Sequence, residues 1–216
     1  MSLRNTPFVA DEYYHLYNRG NSKQKIFHDK QDYKRFLLLL HLVNTKEKIV
    51  SRLIKEKPFS RHNTMCLVGI GAYCLMPNHF HLIVKECGEG GISKFMQKLT
   101  TAYAMYYNQK YKRSGSLFEG KFKSQHTESD KYLKYLFSYI HLNPLKLIDK
   151  DWRNKRTKDK KWFLDFLRTY HYSSYRDYIF IVRPENIILN KEIFPAYFPN
   201  EELFEKEVFE WLSYGE

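Results

Sequence analysis

The spacing of apolar and polar positions divides residues 1–150 into strands and helices in a regular order. Residues 13–20, Tyr-Tyr-His-Leu-Tyr-Asn-Arg-Gly, predict a strand ending in a glycine turn. Asp29 or Asp32 stands where a helix cap is needed, and Phe36, Leu39, Leu40 and Val43 recur at helical spacing on a buried face. That helix is expected to run to about Lys55, with a polar connector over 57–63. Residues 64–76 and 79–86 are apolar, β-branched-rich runs separated by Pro77-Asn78, the signature of a hairpin turn. After Gly88, Gly90 and Gly91, residues 92–112 predict a second helix with Ile92, Phe95, Met96, Leu99, Tyr103 and Tyr106 as its apolar stripe. Ser114-Gly115-Ser116 breaks it, and residues 117–127 form a loop leading into a fourth strand. Ser129-Asp130 opens a third helix, which Pro144 ends. The order β-α-β-β-α-β-α predicts an α+β fold, a ferredoxin-like sandwich with a mainly antiparallel sheet and helices packed on one face.

Charge divides the chain at the same place as the pattern. The net charge is +12. Residues 1–150 carry 25 Lys and Arg against 12 Asp and Glu, whereas residues 151–216 carry 11 against 12. The first part is therefore expected to attract a polyanion, and the abundant Tyr and Phe suit base stacking. Residues 151–216 read as a C-terminal extension, helical in part near 162–178, with a cation-rich stretch from Arg153 to Lys161 and an acid-rich end. No chemistry is assigned to it. The longest apolar run, Phe36 to Leu40 followed by Leu42-Val43, is too short to span a bilayer, and the N-terminus lacks a signal-like apolar stretch. A soluble, cytoplasmic protein without a membrane partner is expected. Cys66, Cys74 and Cys87 show no paired spacing and read as reduced thiols, the first two as small core residues. Lys85-Glu86 reads as a solvated strand end.

Two short segments carry candidate chemistry. In Tyr73-Cys-Leu-Met-Pro-Asn-His79-Phe-His81, strand alternation turns both histidines to one face and Phe80 to the other. Imidazoles about 7 Å apart on one rigid face can share a metal ion. On the third helix, Tyr132, Tyr135, Tyr139 and Asn143 fall within about 80° of one another, while Leu133, Leu136, Phe137 and Ile140 form the neighbouring apolar face. Tyr132 and Tyr135 compete with Tyr139 as the reactive tyrosine, but only Tyr139 stands one turn before Asn143.

Four segments in order resemble the single-tyrosine HUH transposases of the IS200/IS605 type, most of all their REP-associated branch: His15-Leu-Tyr-Asn-Arg-Gly-Asn21, Tyr73 to His81, Gly115-Ser-Leu-Phe-Glu-Gly-Lys-Phe-Lys123, and Tyr139-Ile-His-Leu-Asn-Pro144. The resemblance covers about residues 10–150. It implies that His79, His81 and Asn143 bind a divalent metal, Mg²⁺ or Mn²⁺, and that Tyr139 is the nucleophile. It also implies a single-stranded or hairpin DNA substrate and a 5′-phosphotyrosine intermediate. A homodimer, with Tyr139 serving its own or a partner's histidines, stays open. Arg19, Arg113, Lys121 and Lys123 stand beside turns near the motifs and are candidates for holding phosphates. The alternatives are a non-catalytic hairpin-binding regulator and a metal-dependent hydrolase. A hydrolase would want a carboxylate base near the histidines, and Glu86 is the nearest acid on that strand.

Overall fold

A computed structural model describes residues 7–46, 59, 66–152 and 160–213. Strand β1 (Tyr13–Arg19), helix α1 (Lys30–Leu42), strands β2 (Val68–Met76) and β3 (His79–Glu86), helix α2 (Gly91–Lys110), strand β4 (Lys123–His126) and helix α3 (Asp130–Leu142) follow the expected order. The extension adds helices α4 (Lys160–Thr169), α5 (Tyr175–Tyr178) and α6 (Glu201–Ser213). The four strands form one sheet in the order β2-β3-β1-β4, every neighbouring pair antiparallel.

Strand register decides what each face carries. Tyr17 lies opposite His81, and His15 opposite Ile83, so His15, Tyr17, His79 and His81 share one face. Leu16, Phe80 and Leu82 point to the other, where α1 and α2 pack. There the Phe36 ring lies 4.9 Å from Phe80 and 4.9 Å from Tyr103. These first two helices share one face, as the sandwich expectation has it, while α3 lies across the opposite, histidine-bearing face. Both faces need cover because β2 is buried at every position and β3 at six of its eight.

The two candidate caps of α1 act together. The Asp29 carboxylate accepts from the Gln31 and Asp32 N–H groups, and the Asp32 carboxylate accepts in turn from the Asp29 N–H. The helix ends at Leu42 rather than continuing toward Lys55. Buried Asn44 then accepts from the Leu67 and Val68 N–H groups and donates to the Val68 carbonyl at 2.8 Å, tying the end of α1 to the start of β2. The expected connector over 57–63, Phe59 apart, and the cation-rich stretch over 153–159 lie outside the described residues.

The end of β3 differs from expectation. Glu86 is fully buried, not solvated, and its carboxylate accepts from the Gly91 and Ile92 N–H groups at 2.6 and 2.9 Å. It satisfies two of the open donors at the start of α2 from another element. The helix start also lies hard against the chain entering β2, which calls for glycine: a Cβ on Gly91 would stand 2.2 Å from the Leu67 carbonyl oxygen. Lys85 pairs with Asp11 at 2.9 Å. Cys74 is buried as expected, whereas Cys66 is only half-buried.

Helix α3 is capped by Ser129, whose hydroxyl accepts from the Tyr132 N–H. Leu133, Leu136, Phe137 and Ile140 are all buried, which leaves Tyr132, Tyr135 and Tyr139 half-buried along the adjacent face. The extension closes the outer edge of the sheet. Leu75 of β2 donates to the Tyr172 carbonyl at 2.9 Å, Tyr73 to the Ser174 hydroxyl at 2.9 Å, and Ile70 to the Asn190 side-chain oxygen at 3.2 Å. Phe137 of α3 meets Tyr178, Phe194, Tyr197 and Phe198 of the same segment.

A buried ion pair pins that segment. Arg183 donates to both Asp177 carboxylate oxygens, to the Tyr73 hydroxyl and to the Ser173 and His171 carbonyls. Removing one partner strands the other charge in the core, so Arg183→Met is expected to lower stability by about 3–5 kcal/mol. Arg183→Met combined with Asp177→Leu should recover much of the loss. Urea unfolding of the three proteins measures it, and a single variant as stable as the parent contradicts the assignment.

Candidate active site

The hairpin turn at Pro77-Asn78 presents the histidine pair. His79 and His81 face each other with ring centroids 5.0 Å apart and planes nearly perpendicular. Each has a defined neighbour on its Nδ1. His79 Nδ1 is 2.6 Å from the Asn78 side-chain oxygen, and His81 Nδ1 is 2.9 Å from His15 Nε2. An amide oxygen only accepts, so His79 carries its proton on Nδ1 and keeps the Nε2 lone pair. Burial pushes the His15 and His79 imidazoles down to about 4, and His81 well below its ordinary value. After burial, the Lys146 ammonium acts in the same direction on His79, as do His15, His79 and Lys146 on His81. The rings are neutral at neutral pH and able to offer lone pairs.

Helix α3 brings Tyr139 onto this group within one chain. The Tyr139 ring lies 5.9 Å from His81 and 6.0 Å from His15, edge-on to both. A cavity of about 300 Å³ opens here, lined from the sheet by His15, Tyr17, His81 and Gln125, and from α3 by Tyr132, Tyr135, Leu136 and Tyr139. The two competing tyrosines thus share the cavity, but among the three only the Tyr139 ring makes close ring contacts with the histidines.

Asn143 begins a 3₁₀ turn over Asn143–Leu147 and is buried. Its Nδ2 donates to the Tyr139 carbonyl at 2.9 Å, and its Oδ1 accepts from Lys146 Nζ at 3.1 Å. It is not part of the cavity wall. Lys146 Nζ also stands 6.0 Å from the Tyr139 ring centre.

Lys146 and His15 are the residues that sequence reasoning missed. Pro144 does stop the α-helix, but the chain continues as a 3₁₀ turn, and that continuation brings Lys146 back to Asn143. His15 needed the β1–β3 register, which the sequence alone does not give. Among the described residues no group of three or more His, Cys, Asp or Glu is placed to hold a metal. The donor set is sparser: two neutral imidazoles and one amide oxygen. The two imidazoles, with their lone pairs, are of a kind that binds divalent cations while leaving positions for water or phosphate oxygens, whereas the Asn143 oxygen is turned to Lys146.

The four candidate phosphate-holding residues are exposed but differently placed. Arg19, opposite His79, makes a two-pronged pair with Glu119. Lys123, opposite Tyr17 on β4, shares the histidine face. Arg113 lies over the Tyr107 ring at 5.5 Å, and Lys121 lines a separate cleft of about 800 Å³ between α2 and the loop before β4. The site does not gather all four.

The model of the family described as "Transposase IS200 like" matches residues 8–143, which span both histidines, Tyr139 and Asn143. The chain belongs to this family. As a member of the IS200-like transposases it is a transposase by kinship. Solved structures with a similar fold include a REP-associated tyrosine transposase bound to a REP hairpin, at 12% identity and TM-score 0.47 over 86% of this chain and 90% of that one. A candidate transposase from Deinococcus radiodurans R1 is 16% identical with TM-score 0.35, over 64% and 95%. No curated protein matches the chain. No helix among the described residues is long and apolar enough to cross a membrane.

The buried imidazoles make a prediction about pH. His15 and His79 titrate near about 4 when folded and near 6.5 when unfolded, and His141, also buried, near about 3. The unfolded chain therefore takes up protons first, so their contribution to stability is present above 6.5 and is lost as pH falls toward 4. Glu86, pushed up by burial, opposes as a single group. The urea midpoint should fall between pH 7 and pH 5, and an unchanged midpoint contradicts neutral buried histidines.

Proposed function

We propose that this transposase cleaves and rejoins single-stranded or hairpin DNA through a covalent link to Tyr139. His79, His81 and Asn143 would hold a divalent metal, Mg²⁺ or Mn²⁺. The observation that carries the reading is the packing of the Tyr139 ring against His81 inside one chain. It favours a site complete in each subunit, and a homodimer would then hold two such sites.

A bound divalent cation would supply Lewis-acid polarisation of the scissile phosphate. The chain's own residues do the rest. The rigid hairpin fixes the imidazoles, and α3 fixes the angle of the phenol. Tyr139 Oη attacks phosphorus as it gives up its proton to water, which supplies one in turn to the leaving oxygen. The bond from phosphorus to the 3′ oxygen breaks, and that oxygen leaves as a hydroxyl after taking up a proton. The 5′ phosphate stays on the tyrosine. Attack by another 3′ hydroxyl reverses the sequence and needs no nucleotide, because the ester bond is conserved. The basic excess of residues 1–150 would draw the strand in, and Tyr132 and Tyr135 offer rings for unpaired bases. Lys123 shares the face on which that strand would lie.

The four sequence segments favour the REP-associated branch, and hence hairpin DNA. A cytoplasmic setting belongs to the same reading on the separate ground that no apolar stretch in the sequence is long enough to span a bilayer. Residues 1–150 would form the catalytic unit and 151–216 its edge cover. A hydrolase is disfavoured because Glu86, its nearest base, is consumed in capping α2. The regulator reading has one observation in its favour, the Lys146 ammonium on the Asn143 oxygen. For that oxygen to bind a metal the ammonium would have to swing away, because two cations sharing one acceptor atom repel each other.

Tyr139→Phe should abolish cleavage of a cognate single strand while hairpin affinity stays within a few-fold. Cleavage by that variant at the parent rate, read on a denaturing gel, sinks the nucleophile assignment. EDTA should stop cleavage by the parent and Mn²⁺ restore it; full activity in EDTA removes the metal role of His79, His81 and Asn143.

A further inference from the structure

The contact between His15 and His81 goes beyond this reading and rests on it. Two ring nitrogens 2.9 Å apart, His15 Nε2 and His81 Nδ1, hold one proton between them. If His15 donates, His81 must be the neutral ring with its proton on Nε2, the nitrogen on its far side, and that nitrogen has no lone pair. If His81 donates from Nδ1, its Nε2 lone pair is free, as is that of His79 beside it. Only the second arrangement lets both rings of the pair offer the same nitrogen to one ion.

We propose that His15 is a positioning residue that accepts the His81 Nδ1 proton and so fixes His81 in the tautomer with a free Nε2. Its location suits the task. His15 lies on β1, diagonally across from His81 on the sheet face they share, and is buried, so solvent does not compete for the proton. The rings lie within 25° of parallel with centroids 5.1 Å apart, and Tyr17 flanks both at 5.1 and 5.8 Å. Outer partners of this kind orient metal-binding imidazoles, and losing one weakens metal affinity by about 10–100-fold. Asn78 serves His79 by the same logic, from the residue next to it in sequence. His15 comes from a different strand, so the β1–β3 register sets the tautomer as well as the fold.

The test reads the tautomer and the metal separately. In metal-free protein labelled with ¹⁵N-histidine at pH 7, long-range proton–nitrogen spectra should show His81 protonated on Nδ1. A proton on Nε2 overturns the proposal without any variant. Mn²⁺ affinity, followed by electron paramagnetic resonance, should fall about 10–100-fold in His15→Phe, which keeps a ring but cannot accept. His15→Gln, whose amide oxygen reaches about as far as Nε2, should bind within a few-fold of the parent. Parent-like Mn²⁺ binding by His15→Phe overturns this inference alone. A parent protein that binds no Mn²⁺, with His81 protonated on Nδ1, overturns instead the reading of the site as a metal centre.

Discussion

Pairing of Tyr17 with His81 and of His15 with Ile83 sends two different populations of side chains to opposite faces of the sheet. Leu16, Phe80 and Leu82 go to the core under α1 and α2. His15, Tyr17, His79 and His81 go to the face that α3 crosses. A slip of one residue between β1 and β3 would exchange these sets, burying imidazoles against Phe36 and exposing Phe80. Burial of Phe80 therefore enforces the register, and the register assembles the site. The chemistry and the core are two sides of one strand.

Helix α3 shows the same economy. Leu133, Leu136, Phe137 and Ile140 fix its rotation by burial, and that rotation leaves the tyrosine row over the histidines. Packing against Tyr178, Phe194 and Phe198 holds the apolar face from the far side, so the extension steadies the helix that carries Tyr139. At the C-terminus, α6 reaches the same helix through a Lys134–Glu207 ion pair and sets Trp211 against Tyr135, ring centres 4.6 Å apart and planes tilted by 60°. Acidic residues that looked unattached in sequence have cationic partners, Glu205 with Arg168 and Glu207 with Lys134.

What the sequence made legible was local. The Pro77-Asn78 turn, the Ser129 cap, the alternation around Phe80 and the two faces of α3 follow from periods of 2 and 3.6 and from cap chemistry, and each agrees with the structure. What it hid depended on contacts distant in sequence. Glu86 reads as a solvated strand end until Gly91 and Ile92 bring their N–H groups to it. Asn44 ends α1 early because its side chain is committed to Leu67 and Val68. His15 is legible in sequence only as part of a family-like segment, and its contact with His81 emerges only from the pairing of β1 with β3. Arg19, promising as a phosphate contact, is held by Glu119 from the loop before β4.

The central claim is that the phenol of α3, and no other tyrosine in its row, reacts with a DNA phosphate beside the histidine pair. It is tested most directly by incubating the protein with single-stranded flanking DNA and Mn²⁺, digesting the product, and mapping the modified residue by mass spectrometry. The account predicts a nucleotide adduct on the peptide containing Tyr139 and on that residue. An adduct on Tyr132 or Tyr135, or cleaved DNA with no adduct at all, would contradict it.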